Sequence, residues 1–434
     1  MDQVTIGVII LAALMVVMFM GLPVWNSMIL TAIVGLAVLG EPRILQGIGQ
    51  ITISSMLDNT FAVLPVFLIM GEFGDISGVM KDAYRSVNIW MGRIRGGLAM
   101  ASVAGAAIFS LVSGSNMACA AIMTRIALPQ LNEHKYDPRL SVGALAAGGS
   151  LGNLVPPGTL LVIYAIIAEV SLGKLFVACY VPGFLLAAMY MLQIYIQCKL
   201  KPSMGPAAGD FAWKEKMFAL KGLVHVGLIL LVTLGGIQFG VFTPNEAASI
   251  SAAFIFVVAV ARRMVNKQNL LTAFKNTVAT TGMALAIIIG TQIFNIFVTI
   301  SGVPQALASW LTGLNLSPFS VVVIIMIVYF IMGIPMSGLT IVLLTMPILL
   351  PVLHAFHIDL LWFGVLTIAQ CELATLSPPV GNTLYVIAQM SKPYGISMAD
   401  VFWGALPFCV TCLVFIILLL LFPSVSLFLV SQMH

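Results

Sequence analysis

The chain has 434 residues, of which 61% are hydrophobic and only 8% are charged. Soluble domains carry about 25% charged residues, so this composition excludes a soluble globular protein and indicates a chain solvated by lipid. The net charge of +4 is spread over short loops between apolar segments, so it does not indicate a nucleic-acid partner.

The apolar segments are long and lack strand-like alternation, which predicts membrane-spanning α-helices. The first, Val4–Leu22, lacks the basic start and small-residue cleavage site of a signal peptide, so we interpret it as a span. Two more polar segments, Ile44–Leu57 and Leu270–Val278, are expected to be interfacial helices. The other apolar segments are Val24–Leu39, Phe61–Met80, Gly96–Leu131, Leu140–Ala168, Leu175–Cys198, Gly222–Val241, Ala247–Ala261, Asn276–Ile300, Pro318–Leu353, Leu360–Met390 and Val401–Phe422.

Short motifs recur about 220 residues further along the chain, which predicts two related halves. The recurring pairs include Ile76-Ser77-Gly78-Val79 with Ile300-Ser301-Gly302-Val303, Ser113-Gly114 with Ser337-Gly338, and Pro156-Pro157 with Pro378-Pro379. Matched segments interrupted by Gly and Pro in two halves of a membrane chain are typical of secondary transporters.

The basic residues predict how the two halves are oriented. Most of the 19 Lys and Arg residues fall in a few loops, which the positive-inside rule places in the cytoplasm. Gly96–Leu131 then lies between two cytoplasmic loops, and Pro318–Leu353 lies between two loops without Lys or Arg. Each must therefore be a re-entrant hairpin, and the two enter from opposite sides. The predicted fold is an all-α polytopic membrane protein with an inverted-topology repeat, two re-entrant helical hairpins and two broken helices. Both termini are predicted on the outer side.

Each hairpin has a small, polar turn near its middle. The first tip is Ser113-Gly114-Ser115-Asn116, and the second tip is Gly333–Thr340. Each hairpin is followed by an apolar segment with two adjacent prolines; we name these interruptions the first break, Gly148–Thr159, and the second break, Glu372–Thr383. Adjacent prolines remove two N–H donors, so carbonyl oxygens in the breaks lose their helical partners. The structural alternatives are glycines that only allow close helix packing and prolines that only kink a helix.

The oxygen atoms of these turns predict two sodium sites. Each site is formed by one tip and by the break that follows that tip in the sequence. An organic acid is expected between the tips, with its carboxylate against helix N-termini and hydroxyl donors. Arg125 is a candidate contact for this organic acid. It could instead extend to the cytoplasmic surface or pair with an acidic side chain. The candidate sodium ligands are Ser113, Gly114, Ser115, Asn116, Gly152, Asn153 and Pro156 in the first site, and Ser337, Gly338, Thr340, Thr375, Pro378 and Gly381 in the second. The candidate substrate contacts are Ser115, Asn116, Arg125, Asn153, Ser337, Thr340 and Asn382.

Two acidic residues have separate interpretations. Glu372 begins the second break and is expected to tune its cation, although proton coupling through such an acid is an alternative. Glu246 follows Thr243-Pro244-Asn245 and is expected to stabilise a helix start. The sequence contains no nucleotide-binding loop, hydrolase elbow or zinc-protease motif, so the chain is not expected to be an enzyme.

Several short motifs of the chain are typical of one transporter family. They are Gly96-Gly97-Leu98-Ala99, Ser113-Gly114-Ser115, Tyr136-Asp137-Pro138-Arg139, Gly149-Ser150-Leu151-Gly152 before Pro156-Pro157, Phe242-Thr243-Pro244, Glu246-Ala247-Ala248 and Ser377-Pro378-Pro379-Val380-Gly381. In these motifs the chain resembles the large membrane subunit of tripartite ATP-independent periplasmic (TRAP) transporters. The resemblance implies a sodium-driven elevator-type transporter in a bacterial inner membrane. It also implies a small four-helix membrane subunit and a soluble periplasmic protein that delivers an organic acid, commonly a C4-dicarboxylate or sialic acid. The chain departs from frequent family forms at Asn153, Gly158 and Arg125, which leaves the acid open.

The resemblance also divides the chain. Residues 61–170 and 276–392 are expected to form the two halves of a mobile transport domain, each with one hairpin and one broken helix. Residues 1–60 and 171–275 are expected to form scaffold helices with an interfacial helix each, and residues 393–434 a last scaffold helix. The alternatives are a stand-alone sodium/carboxylate symporter or sodium/proton antiporter of similar architecture, an ion channel, and an enzyme acting in the membrane.

Overall fold

The structure is a computed structural model that describes residues 2–41, 47–57, 59–207, 209, 211–334, 336–379 and 381–433. Every regular element in these ranges is helical. Six of the described helices are long and apolar enough to cross a membrane, and a bent pair of helices raises the number to seven. The predicted all-α polytopic membrane fold is confirmed.

Some helices of the first half begin at a capping side chain. Asp137 accepts hydrogen bonds from the N–H groups of Arg139 and Leu140, and Pro138 occupies the first helical position, where no N–H is needed. The helices run Gln3–Phe19, Val24–Val38, Ile48–Leu57, Val63–Ile76, Val79–Met91, Gly97–Ser113, Asn116–Glu133, Pro138–Ser150, Thr159–Ile167 and Leu172–Leu200.

Helices of the second half also begin at capping side chains. Thr243 and Glu246 form a capping box, so the expected role of Glu246 at a helix start is confirmed. The helices run Trp213–Gln238, Pro244–Ala261, Lys267–Ile300, Val303–Gly313, Pro318–Gly333, Gly338–Ala355, Leu360–Leu376, Asn382–Ser391 and Met398–Leu421. Trp213–Gln238 includes a 3₁₀ turn, Leu220–Leu223, and a π turn, Leu231–Gly235.

The repeated Ser-Gly motif has the same local conformation in both halves. Gly78 and Gly302 both have φ of 68°, a left-handed conformation that glycine adopts without strain. The serine before each glycine accepts a hydrogen bond from the N–H of the valine after it, at 3.3 Å for Ser77 and 3.4 Å for Ser301. The sequence repeat therefore corresponds to a repeat of local structure.

The structure corrects two of the segments expected from the sequence, and part of a third lies outside the described ranges. The separate interfacial helix Leu270–Val278 is wrong, because these residues belong to the continuous helix Lys267–Ile300, which contains no proline and starts at an Asn266 cap. The division expected at residues 275 and 276 therefore falls inside a helix. The span expected over Phe61–Met80 bends by 66° after Ile76, at the Ser-Gly motif. In the segment expected to be the first interfacial helix, a helix runs Ile48–Leu57, and residues 44–46 lie outside the described ranges.

A helical hairpin is present at each of the two predicted places. In the first, Ser110 Oγ lies 3.8 Å from Cys119 Sγ, and a Cβ atom on Gly105 would lie 3.1 Å from Met123 Cε. The arms Gly97–Ser113 and Asn116–Glu133 therefore run antiparallel. In the second, the hydroxyl groups of Tyr329 and Thr345 hydrogen-bond between the arms Pro318–Gly333 and Gly338–Ala355. Each hairpin is followed by a helix that is interrupted within its break.

Candidate functional site

The first tip turns at a glycine and restarts at a serine. Gly114 has φ of 60°, and Ser115 is extended and accepts a hydrogen bond from the N–H of Ala118 at 3.5 Å. A Cβ atom on Gly114 would lie 2.1 Å from the carbonyl oxygen of Pro157. Only glycine fits here, because it permits both the left-handed turn and this close approach to the backbone.

The first tip packs directly on the first break. The N–H and the hydroxyl group of Thr159 both donate to the carbonyl oxygen of Gly114, each at 3.0 Å. A Cβ atom on Gly152 would lie 2.7 Å from both N and Oδ1 of Asn116. The first tip and the first break are therefore in direct contact. Because the Gly114 carbonyl oxygen already accepts two hydrogen bonds, its lone pairs are engaged within the protein in this state.

The second tip has a similar cap and packs on the second break. Ser337 accepts from the N–H of Thr340 at 3.3 Å, and the two hydroxyl oxygens lie 2.8 Å apart. The Cys371 thiol donates to the carbonyl oxygen of Gly338 at 3.3 Å, and a Cβ atom on Gly333 would lie 2.9 Å from the Cβ of Ala374. The second tip and the second break are therefore also in contact.

Both breaks fold a glycine back against an earlier carbonyl group. A Cβ atom on Gly158 would lie 2.1 Å from the carbonyl oxygen of Asn153, and one on Gly381 would lie 2.4 Å from that of Thr375. The hydroxyl group of Thr383 also donates to the Thr375 carbonyl oxygen at 2.8 Å. The prolines of the breaks, Pro156-Pro157 and Pro378-Pro379, form cis peptide bonds. The two breaks thus share local geometry as well as sequence.

A contact between the halves joins the first tip to the second break. The side-chain amide of Asn116 donates to Glu372 Oε2 at 2.8 Å, and the side chain of Asn153 also faces this carboxyl group. Glu372 is 0% exposed. From the sequence, Glu372 was expected to tune the cation of the second break, with proton coupling as an alternative. An acid inside an apolar segment was the available signal, but sequence spacing could not show that it meets the first tip.

The structure brings most of the predicted site residues to this region but not Arg125. Arg125 is exposed and lies within electrostatic reach of Asp75, nine residues or about 13 Å along the helix from Asn116. Asn382 begins a helix that packs against the arm Asn116–Glu133. The remaining predicted residues lie in the tips and breaks; they are Ser113, Gly114, Ser115, Asn116, Gly152, Asn153, Pro156, Ser337, Gly338, Thr340, Thr375, Pro378 and Gly381.

The electrostatics of the tips favour an anion beside them. The second arm of each hairpin is an 18-residue helix that begins at a serine cap, so its partially positive N-terminal end lies at the tip. Ser115, Asn153, Ser337 and Asn382 are only half-buried. Polar groups of both halves are therefore partly accessible around the buried contact between Asn116 and Glu372.

The donor atoms suit a hard cation. Hydroxyl, amide, carboxyl and backbone carbonyl oxygens surround the tips and breaks, and such oxygens are the ligands that hard cations prefer. No group of three or more His, Cys, Asp or Glu side chains placed to hold a metal occurs among the described residues. The arrangement fits sodium and offers no cluster of the side chains that bind transition metals.

A large cavity lies away from the tips. Its volume is about 870 Å³, and it lies between the helix Val79–Met91 and residues 211–225. Arg85, Lys214, Lys221 and Arg262 line it, together with Asp82 and Glu215. No tip or break residue lines this cavity.

Comparison with known proteins assigns the chain to a family. The family model described as "Tripartite ATP-independent periplasmic transporter, DctM component" matches residues 11–425. The chain belongs to this family. The resemblance inferred from the sequence motifs is confirmed.

Individual relatives of this DctM-family chain cover most of its length. It is 33% identical over 373 residues to the C4-dicarboxylate TRAP transporter large permease protein DctM of Pseudomonas aeruginosa, an alignment that covers 85% of each chain. It is 29% identical over 415 residues to the sialic acid TRAP transporter large permease protein SiaM of Vibrio cholerae, with 95% of each chain covered. These relatives are described as transporter permeases and not as enzymes.

A solved structure supports the fold of the DctM-family chain. The crystal structure of the Alcanivorax borkumensis YdaH transporter has a TM-score of 0.66 to it, with 89% of each chain covered and 14% sequence identity. At this identity the likeness concerns the fold alone.

Proposed function

We propose that this DctM-family chain is the large membrane subunit of a tripartite importer that uses a sodium gradient to take up an organic acid. The observation that carries the proposal is the docking of each serine-capped tip on its own break, with both halves meeting at Asn116 and Glu372. Such unwound, oxygen-lined helices are how secondary transporters hold sodium beside an anionic substrate.

The proposed sites follow from this arrangement. One sodium ion binds between the first tip and first break, and another between the second tip and second break. The carboxylate of the acid binds between the tips, where the N-termini of Asn116–Glu133 and Gly338–Ala355 favour a negative charge. Relatives described as C4-dicarboxylate and sialic acid transporters support an acid of one of these classes.

The proposed mechanism is an elevator. Residues 61–170 and 276–392 carry the bound ions and acid across the membrane against the remaining scaffold helices. A small four-helix membrane subunit packs on the scaffold, and a soluble periplasmic protein delivers the acid to the outer face. The chain lies in a bacterial inner membrane with both termini outside. Motion of one rigid domain against another is the usual way in which transporters with internal repeats alternate access.

Reconstituted uptake tests the proposal. Proteoliposomes that contain the chain and its small subunit receive the soluble protein loaded with radiolabelled acid, with an inward sodium gradient or an equal potassium gradient. We expect uptake only with sodium and with all three components. Sodium-driven uptake by the chain alone would support a stand-alone symporter instead. Equal uptake in potassium would contradict sodium coupling.

A further inference from the structure

A fully buried carboxyl group at the contact between the halves has incomplete hydrogen bonding. Glu372 Oε2 accepts from Asn116 Nδ2 at 2.8 Å. The second carboxyl oxygen, Oε1, and the amide oxygen Oδ1 of Asn116 are buried and have no hydrogen-bond partner among the described residues. Unsatisfied buried polar atoms are rare and costly, so these two oxygens point to a missing ligand.

No positive side chain in the described ranges compensates the charge of Glu372. The neutral groups that interact with it there include two amides and three thiols, those of Asn116, Asn153, Cys119, Cys371 and Cys412. Arg125, the basic residue within the first hairpin, instead lies near Asp75. A buried carboxylate without a counter-charge is strongly disfavoured, so a cation from outside the chain is the expected partner.

We propose that Glu372 is the charged ligand of the first sodium site, so that residues of both halves build this site. The inference rests on the proposed sodium-coupled function and adds a ligand that was not among the predicted ones. One carboxylate neutralises one monovalent ion, whereas sites for divalent ions usually collect several acidic ligands. Gly152 packs closely on the unpaired Asn116 oxygen, because a Cβ atom there would lie only 2.7 Å from it.

With Glu372 as a ligand, bound sodium also links the two halves of the chain. The ion neutralises a carboxylate of the second half while it contacts an amide of the first tip. Sodium binding therefore holds the first tip against the second break, and its loss leaves a buried negative charge that favours their separation. Sodium binding at the first site therefore depends on whether the two halves are docked.

The test compares sodium-dependent stabilisation of the full chain and two variants in lipid nanodiscs. Glu372→Gln removes the charge and keeps the size of the side chain. Glu133→Gln is the matched control, since it removes an exposed acid from the same hairpin arm as Asn116. Thermal unfolding is followed as sodium chloride replaces choline chloride at constant ionic strength. We expect the half-saturating sodium concentration to rise about tenfold or more in Glu372→Gln, because a buried charged ligand is lost, and to stay unchanged in Glu133→Gln.

A second variant relocates the charge. Asn116→Asp combined with Glu372→Gln moves the carboxylate across the 2.8 Å contact, and we expect sodium affinity to return to within about threefold of the original value. An unchanged half-saturating concentration in Glu372→Gln would overturn the assignment. So would acidification that stabilises the original chain as fully as sodium does, because a proton would then be the partner.

The outcomes separate this inference from the function on which it rests. If the original chain shows neither sodium-dependent stabilisation nor sodium-dependent uptake, sodium coupling itself is wrong. If the original chain depends on sodium and Glu372→Gln has the same dependence, sodium coupling stands and only the role of Glu372 is wrong.

Discussion

Gly114→Ala tests whether the first tip must dock on the first break. Alanine at φ of 60° costs about 1–2 kcal/mol relative to glycine. Its Cβ atom would lie 2.1 Å from the Pro157 carbonyl oxygen, so tip and break must separate by more than about 1 Å. That separation weakens the two hydrogen bonds from Thr159 to the Gly114 carbonyl oxygen, each worth about 1 kcal/mol.

Gly395→Ala is the matched control. Gly395 is exposed, has φ of 71° and has no atom within 4 Å of the Cβ position, so only the conformational cost applies. The Gly114→Ala variant should therefore lose about 2 kcal/mol more of the free energy of tip–break contact than the control. This difference corresponds to more than tenfold in the population in which tip and break are docked. We expect a lower unfolding temperature in nanodiscs and uptake reduced by about tenfold or more. Equal stability and equal uptake in the two variants would refute the docking of this tip on its break.

Three further variants test other parts of the site. Ser115→Ala combined with Asn116→Ala should raise the sodium concentration for half-maximal uptake, and an unchanged value would count against the first sodium site. Gly381→Ala should reduce uptake several-fold without preventing membrane insertion, because its Cβ atom would lie 2.4 Å from the Thr375 carbonyl oxygen; normal uptake would show that this backbone approach is dispensable. Arg125→Ala should change the half-saturating acid concentration by less than about threefold, since Arg125 is exposed and lies near Asp75. A larger increase would assign Arg125 to the substrate.

Local chemistry made the tips and breaks predictable from the sequence. Glycine, serine and paired proline interrupt an otherwise continuous apolar pattern, and each interruption has a direct effect on the backbone. Gly114 and Ser115 accordingly end one helix and cap the next, and Ser337 caps the matching arm of the second hairpin. The bend beside Gly78 was not predicted, although the repeated Ser-Gly motif was an available signal for it.

Contacts between distant segments were not predictable in this way. The spacing of Asn116 and Glu372 along the chain gives no sign that their side chains meet, because that contact depends on how the first hairpin packs against the second broken helix. The continuous helix Lys267–Ile300 was missed for a different reason. Its first turns are polar, and polarity alone does not end a helix that has no proline to break it.

The most direct test of the central claim is a pair of density maps of the complete complex with bound acid, one recorded in sodium and one in potassium. In sodium we expect a density peak at each tip and its break, the first also touching Glu372, with the acid between the tips. Both ion peaks should be absent in potassium. Identical maps in the two salts, or acid bound only in the basic cavity beside Arg85, would contradict the account.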